Sequence, residues 1–372
     1  MRPPIAVSKL PLLTRRELNR ATLARQLLLQ RSSAGLLQAM ARLGPLQAQY
    51  SPSPYCSLWS RLHNFELADL TRAIRRRAVF KATLLRGTLH LLTAREHSFY
   101  SAILAHVGAR HWETEAARAG IPAERMRASI DAHLREPRTI HEVVAHLASL
   151  SKGRTHAASF VRWRLVVAHG GLVHEYPSGT WRTFGSARLQ VADDGRPPVE
   201  PQVAFANVAR RYLAGFGPAT RADLGAWSGV PAKHWAPALD AMVPTLRRFR
   251  DEQGRELLDL PRAPRPDADT PAPVRFLHKW DSLLLGFADR TRVIAREHAK
   301  VIVAPNGDFA STVLIDGEVG ALWTVERRGT LATLRITPMR RIPRSERAAL
   351  LDEGERLVRF IEPDAGSFAV RA

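Results

Sequence analysis

The sequence predicts an α+β fold, and two observations carry that reading. A helix pair followed by an alternating, strand-like hairpin recurs three times along the 372 residues. After a Pro-rich stretch the remaining chain turns mostly to strands closed by one helix. Helix, turn, helix, hairpin is the winged-helix order, so the units expected are 1–135, 136–196 and 197–262, with a β-rich region over 263–372.

In the first unit, Thr14 with Glu17 three residues later reads as a capping box opening a helix over 14–30. A second helix, capped by Ser33, ends at Leu43. Gly44-Pro45 breaks it and the loop Leu46-Gln47-Ala48-Gln49-Tyr50 follows. Helices are expected over 54–62 and 66–76. Segments 79–84 and 88–92 then alternate as two strands about Arg86-Gly87, and 96–134 is mainly helical. The second unit has Thr139 as helix cap, a turn at 151–154, a helix over 155–169 ended by Gly170-Gly171, and strands over 172–176 and 180–184. The third has helices over 203–215, 220–227 and 231–242 and strands over 245–250 and 256–260. Residues 261–273, PRAPRPDADTPAP, read as a linker or meander. Beyond them, strands are expected over 300–303, 311–315, 319–325 and 330–337. Asn306-Gly307, Asp316-Gly317 and Arg328-Gly329 would serve as turns, and a helix over 345–360 closes the chain.

Charge and composition narrow the function. Fifty-five basic against 35 acidic residues give a formal charge of +20, the balance of a protein whose partner is a polyanion, here nucleic acid. Only 6 of the 55 are lysine, so a GC-rich genome is the competing explanation, although such bias ordinarily raises acidic residues in step. The single cysteine, Cys56, excludes an internal disulfide and a Cys-rich zinc site. No apolar run reaches about 18 residues, and MRPPIAVSKL lacks an apolar signal core. The expectation is a cytoplasmic, nucleoid-associated monomer without a membrane span.

Catalytic motifs are weighed by spacing. His141-Glu142-Val143-Val144-Ala145-His146 imitates a zinc-protease motif, but histidines five apart lie about 140° apart around a helix. No Walker loop, dinucleotide fingerprint or Gly-x-Ser-x-Gly elbow is present, so neither metal nor cofactor is expected. The candidate DNA-binding residues are Arg75, Arg76, Lys81, Arg86, Thr88 and His90 of the first unit and Arg154, Arg162 and Arg164 of the second. Alternation places Arg86, Thr88 and His90 on one strand face, either a phosphate-binding wall or an exposed wing. In an extended loop Gln47 and Gln49 also point the same way, with two amides able to hold a water or read a base edge.

Three stretches, LGPLQAQY (43–50), LRGTLHLLT (85–93) and WDSLLLGFADRTRVIA (280–295), make the chain resemble the winged-helix DNA glycosylases of the azinomycin-resistance type. The resemblance spans essentially the full length. It implies three winged-helix units in a concave arrangement and a Gln-Φ-Gln motif at the centre, matched by Gln47-Ala48-Gln49, though Ala is a small Φ. It implies a monofunctional enzyme that excises N7-alkylated purines and interstrand crosslinks from duplex DNA, giving self-resistance to an alkylating natural product. It also implies a C-terminal hairpin that meets DNA, for which Asn306 and Gly307 are the candidates. A non-enzymatic winged-helix regulator and a drug-sequestering protein are the rival readings.

Overall fold

The computed structural model describes residues 7–193, 195 and 197–372. The first helix, Arg15–Arg25, opens with the expected box. The Glu17 carboxylate accepts from the Thr14 amide at 2.7 Å, and the Thr14 hydroxyl accepts from the Glu17 amide at 3.2 Å. Leu36–Leu43 starts after Gly35 rather than Ser33. The reason is local: Ser32, not Ser33, holds the entering chain, accepting from the Ala34 amide at 3.1 Å.

Gly44 turns the chain with φ +82°, and Leu46–Gln47 then runs as a two-residue strand. Helices Pro52–Trp59 and Leu67–Arg75 follow, then strands Val79–Thr83 and Leu89–Thr93. Two helices, Ala94–Ala119 and Ala123–His133, occupy the expected helical stretch. Ile140–Leu150 and a helical run through Ala157–Phe160, Val161–Leu165 and Val166–Ala168 come next. Pro201–Phe216, Arg221–Ser228 and Ala232–Met242 precede the hairpin Arg247–Arg250 with Glu256–Asp259.

The hairpins of the first and second stretches are not independent. They form one five-stranded sheet in the order Leu46–Gln47, Leu89–Thr93, Val79–Thr83, Leu172–His174, Leu189–Val191. The expected strand over 180–184 is instead a chain of turns. Thr180 and Thr183 bond each other through their hydroxyls at 2.7 Å, and their amides bond back to Pro177 and Thr180. Local hydroxyl bonds of this kind compete with sheet pairing, so Leu189–Val191 takes the place beside Leu172–His174.

The C-terminal region is a second five-stranded sheet, in the order Ser367–Arg371, Leu331–Pro338, Glu318–Arg328, Thr312–Ile315, Arg275–Leu277. Helix Arg344–Ile361 buries Leu350, Leu357 and Val358. Two expectations fail here. Residues 300–303 are not a strand: Ala299–Ile302 is a short helix, because three apolar residues after Lys300 do not define a period. Asn306-Gly307 therefore joins that helix to a single bridge, Val303 with Phe309, and no two-stranded hairpin carries it. The stretch 261–273 is pinned rather than free: the Arg16, Arg20 and Arg25 guanidinium groups donate to the carbonyls of Ala268, Thr270 and Pro264 at 2.7, 2.6 and 3.1 Å.

One buried ion pair joins the halves. Arg61 donates twice to Asp281, at 2.6 and 2.8 Å, with both side chains sealed from solvent. Asp281 also accepts from the Ser57 hydroxyl at 2.9 Å and from the Leu283 amide at 3.0 Å. Removing one partner strands a buried charge, which costs about 3–5 kcal/mol. Asp281→Ala is expected to destabilise the fold by about that amount in chemical denaturation, whereas substitution of exposed Glu355, which pairs with Arg359 at the surface, changes it by under about 1 kcal/mol.

Candidate active site

The Gln loop is an edge strand of the first sheet. Leu46 pairs with Leu91 and Gln47 with His90, and the Ala48 amide donates to the Leu89 carbonyl at 2.7 Å. Alternation turns Leu46 and Ala48 into the core, where they are 1% and 0% exposed. Gln47 and Gln49 take the other side, beside His90 and Thr88. Gln47 is 7% exposed, and Gln49 is exposed.

Hydrogen bonds fix which end of each amide faces outward. Arg86 Nη2 donates to Gln47 Oε1 at 3.1 Å, and a guanidinium has no acceptor. The carbonyl end of Gln47 must face Arg86, which leaves its –NH2 donors without a protein partner among the described residues. Gln49 Oε1 accepts from the Leu89 amide at 3.4 Å, a long and weak contact. The two amides thus differ: one is clamped and the other loosely held.

Arg86 does not lie in the strand. It sits in the short 3-10 turn Leu85–Gly87 at φ +55°. A second arm of its guanidinium donates to the Trp227 carbonyl, tying the turn to the third helix pair. Burial, then the nearby Arg290 charge, lowers its pKa to about 10, so it remains a cation at neutral pH. Arg290 was not among the candidates, although it lies within WDSLLLGFADRTRVIA. Its guanidinium carbon stands 5.3 Å from the centre of the Phe309 ring. The earlier signal for it would have been an Asp-Arg pair following an apolar run.

Burial corrects two expectations of a DNA-facing wall. His90 is 1% exposed, and its Nδ1–H donates to the Thr88 carbonyl at 2.9 Å. Burial and the Arg86 charge push its pKa down to about 3, against a small lift from that carbonyl. It is a neutral ring, not a phosphate-binding cation. Lys81 is 7% exposed and pairs across the sheet with Leu91, so it occupies the face opposite Gln47. Thr88 spends its hydroxyl on the Leu85 carbonyl at 3.1 Å.

The other candidates stand apart from the Gln loop. Arg75 and Arg76 are exposed at the end of helix Leu67–Arg75. Arg154 is exposed, with Nε donating to the Ser151 carbonyl at 3.3 Å. Arg162 and Arg164 are exposed on the helical run over 157–168, Arg164 reaching His111 at 3.3 Å. Asn306 and Gly307 are exposed in the C-terminal turn, where Trp280 Nε1 donates to the Gly307 carbonyl at 3.0 Å. The His141/His146 pair does not converge: His146 stacks on His133 with ring centres 4.2 Å apart and is bonded by Ser129.

The two amides stand beside a half-buried guanidinium on a strongly basic protein. The family model for AlkZ-like DNA glycosylases matches residues 40–360, and the chain belongs to that family: it is a DNA glycosylase. An interstrand DNA cross-link repair glycosylase of Streptomyces sahachiroi is 25% identical over 333 residues, covering 81% of this chain and 85% of the relative. The solved structure of the Streptomyces sahachiroi DNA glycosylase AlkZ superposes with a TM-score of 0.75 at 20% identity, over 96% of this chain and 99% of that one. That similarity extends the shared fold over both sheets. No helix among the described residues is long and apolar enough to cross a membrane.

The clamp on Gln47 generates a test. Arg86→Ala frees the amide to rotate, and misplacement of a reacting geometry by about 1 Å costs about 10²-fold. Single-turnover base release should fall by that order while DNA affinity changes little. Arg86→Lys should not rescue it, because a point charge cannot reproduce the fork to both Gln47 and Trp227.

Proposed function

We propose that this glycosylase hydrolyses the N-glycosidic bond of N7-alkylguanine in duplex DNA, including guanines joined in interstrand crosslinks, and so protects its host from a DNA-alkylating natural product. The observation that carries the proposal is the orientation of Gln47 and Gln49 at one sheet edge. On this reading three winged-helix units, 1–135, 136–196 and 197–262, form a concave basic surface completed by 263–372. The enzyme acts as a monomer on chromosomal DNA in the cytoplasm.

The chemistry suits neutral amides. N7 alkylation leaves a positive charge in the purine, so the base departs without protonation and no general acid is needed. The remaining work is to steady an oxocarbenium-like sugar and to hold a water. Gln47, with its carbonyl held by Arg86, offers its –NH2 donors to the departing purine, which gains electron density as the bond breaks. A water needs an acceptor for its proton, and Gln49 can supply one because its 3.4 Å bond to Leu89 is easily exchanged. Neither amide removes the proton outright, so rate comes from orientation and preorganised dipoles. Lyase chemistry would need an amine, and Lys81 lies on the opposite face of the sheet, which supports a monofunctional enzyme.

Exposed Arg75, Arg76, Arg154, Arg162 and Arg164 are assigned to phosphates, and the Asn306-Gly307 turn to the duplex. An interstrand crosslink cannot be swung into a closed pocket, because its partner strand is tethered to it. A site at the edge of a sheet, open to solvent at Gln49, answers that constraint.

The decisive measurement is abasic-site formation in duplex DNA carrying N7-methylguanine or a defined N7-guanine crosslink. Wild type should release base, and a Gln47→Ala, Gln49→Ala double variant should lose about 10²–10³-fold, the scale of removing preorganised donors; wild-type rates in that variant would eliminate the site. The pH profile gives a second check. His90, depressed to about 3, takes up no proton in histidine's ordinary range. Lowering pH from about 7 to about 5.5 should therefore leave base release undiminished, whereas a falling limb there would mark a titrating imidazole base.

A further inference from the structure

One residue beyond Gln49 the chain enters a stack of rings with an open end. Tyr50 stacks on His278 at 5.3 Å and 19°, and on its other side meets Phe184 at 5.5 Å and 30°. Both faces of Tyr50 are therefore used. Phe184 is 62% exposed, more than any other large apolar side chain among the described residues. The stack thus ends in a phenyl face turned to solvent at the border of the Gln loop.

That ring is held in place. Ser51 Oγ donates to the Thr183 carbonyl at 2.6 Å, which ties the residue before Phe184 to the segment carrying Gln49. Arg182, one residue further back, donates to Glu362 at the end of helix Arg344–Ile361. A singly exposed apolar side chain is ordinary. Here the ring is tethered to two elements and closes an ordered stack, so a ligand meets it without first having to order it.

The charge beside it identifies the ligand. Arg182 and Arg327 share the single carboxylate of Glu362, and neither pairs with another carboxylate among the described residues. One positive charge is left over two residues from Phe184. An open aromatic face next to a surplus cation fits a nucleotide of the DNA strand: any base offers a π-face to the ring, and its phosphate takes the charge. A purely apolar partner would use the ring and leave the cation idle.

We infer that Phe184 stacks on a base flanking the damaged nucleotide and enters the gap that opens when that nucleotide loses its base. The inference rests on the reading of Gln47 and Gln49 as the excision site and adds the residue that holds the duplex beside it. An apolar ring entering a base step must unstack it, and the cost is least where a base is already missing. The contact is therefore strongest in the abasic product.

Binding of the full chain to a duplex carrying one tetrahydrofuran abasic analogue, compared with the same intact duplex by fluorescence anisotropy, tests this. Wild type should prefer the abasic duplex by about tenfold, the scale of one stacked base. Phe184→Ala should lose the preference, and Phe184→Tyr and Phe184→Trp should keep it. Phe184→Leu should lose it too, because an isobutyl group fills a gap without offering a π-face. In Phe184→Ala the slope of log affinity against log salt should match wild type, since stacking releases no counterion. Circular dichroism verifies that the variants fold. No abasic preference in wild type, a preference kept by Phe184→Ala or Phe184→Leu, or a shallower salt slope in Phe184→Ala would overturn the inference. Base release by wild type from N7-methylguanine duplex, measured alongside, separates the two claims. Release with the abasic preference intact in Phe184→Ala sinks this inference alone. Loss of the preference in Phe184→Ala with no release by wild type sinks the N7-alkylguanine reading alone.

Discussion

The geometry of the Gln loop depends on the buried bond between Arg61 and Asp281. Arg61 also donates to the Gln26 carbonyl at 3.0 Å and the Ser57 carbonyl at 3.0 Å. One guanidinium therefore holds the end of the first helix, the helix that follows the Gln loop and the segment leading into Ser282–Leu285. Asp281 caps that short helix through the Leu283 amide. Burial of an ion pair is costly unless every donor and acceptor is used, and here the two carboxylate oxygens together accept four bonds. With this clamp set, Pro52–Trp59 cannot move independently of the C-terminal sheet. Tyr50 and Ser53 are thereby brought to His278, 225 residues from Ser53 along the chain.

A second consequence is chemical. The groups around Gln47 are arranged so that nothing there titrates near neutrality: His90 is neutral by burial and Arg86 is a cation well below its pKa. A carboxylate in place of Gln47 would sit beside the Arg86 guanidinium and be held ionised. It would steady a sugar cation more strongly, but it would also be attracted to Arg86 rather than held facing the substrate. Amides give up that charge and gain a defined orientation. Such an exchange suits an already activated leaving group, as in the N7-alkylated purine proposed above.

Much of the fold was legible because local chemistry announced it. The boxes Thr14/Glu17, Thr139/Glu142 and Thr220/Asp223 each open a helix within a residue of the expected place. Asp316-Gly317 turns the hairpin at φ +51° and +83°. The orientation of Gln47 and Gln49 to one side followed from alternation. What stayed hidden was set by contacts between distant segments. Thr180–Thr183 reads as strand by composition and loses to its own hydroxyls. Lys81 and His90 read as DNA-facing residues and are buried: Leu46–Gln47 pairs beside Leu89–Thr93 and sets Gln47 opposite His90, and the chain at Gly179 packs on the Lys81 stem. Arg86 reads as a phosphate ligand, and no local signal reveals that Trp227, 141 residues later, takes one arm of it.

That last point reaches back to the charge itself. Arg20, Arg25 and Arg61 are among the largest fully buried side chains, so part of the +20 is not on offer to a polyanion. These arginines bond backbone carbonyls at the end of the first helix and along 261–273, where irregular chain leaves carbonyls that no ladder satisfies. Arginine suits the task better than lysine because its planar fork meets two acceptors at once and stays charged when buried. Arg86 applies the same device to a different acceptor. It spans the Trp227 carbonyl and the Gln47 side chain, holding that amide as one more loose carbonyl. The burial of these arginines and the orientation of Gln47 therefore share one physical basis, the ability of a guanidinium to hold unpaired carbonyl oxygens in place.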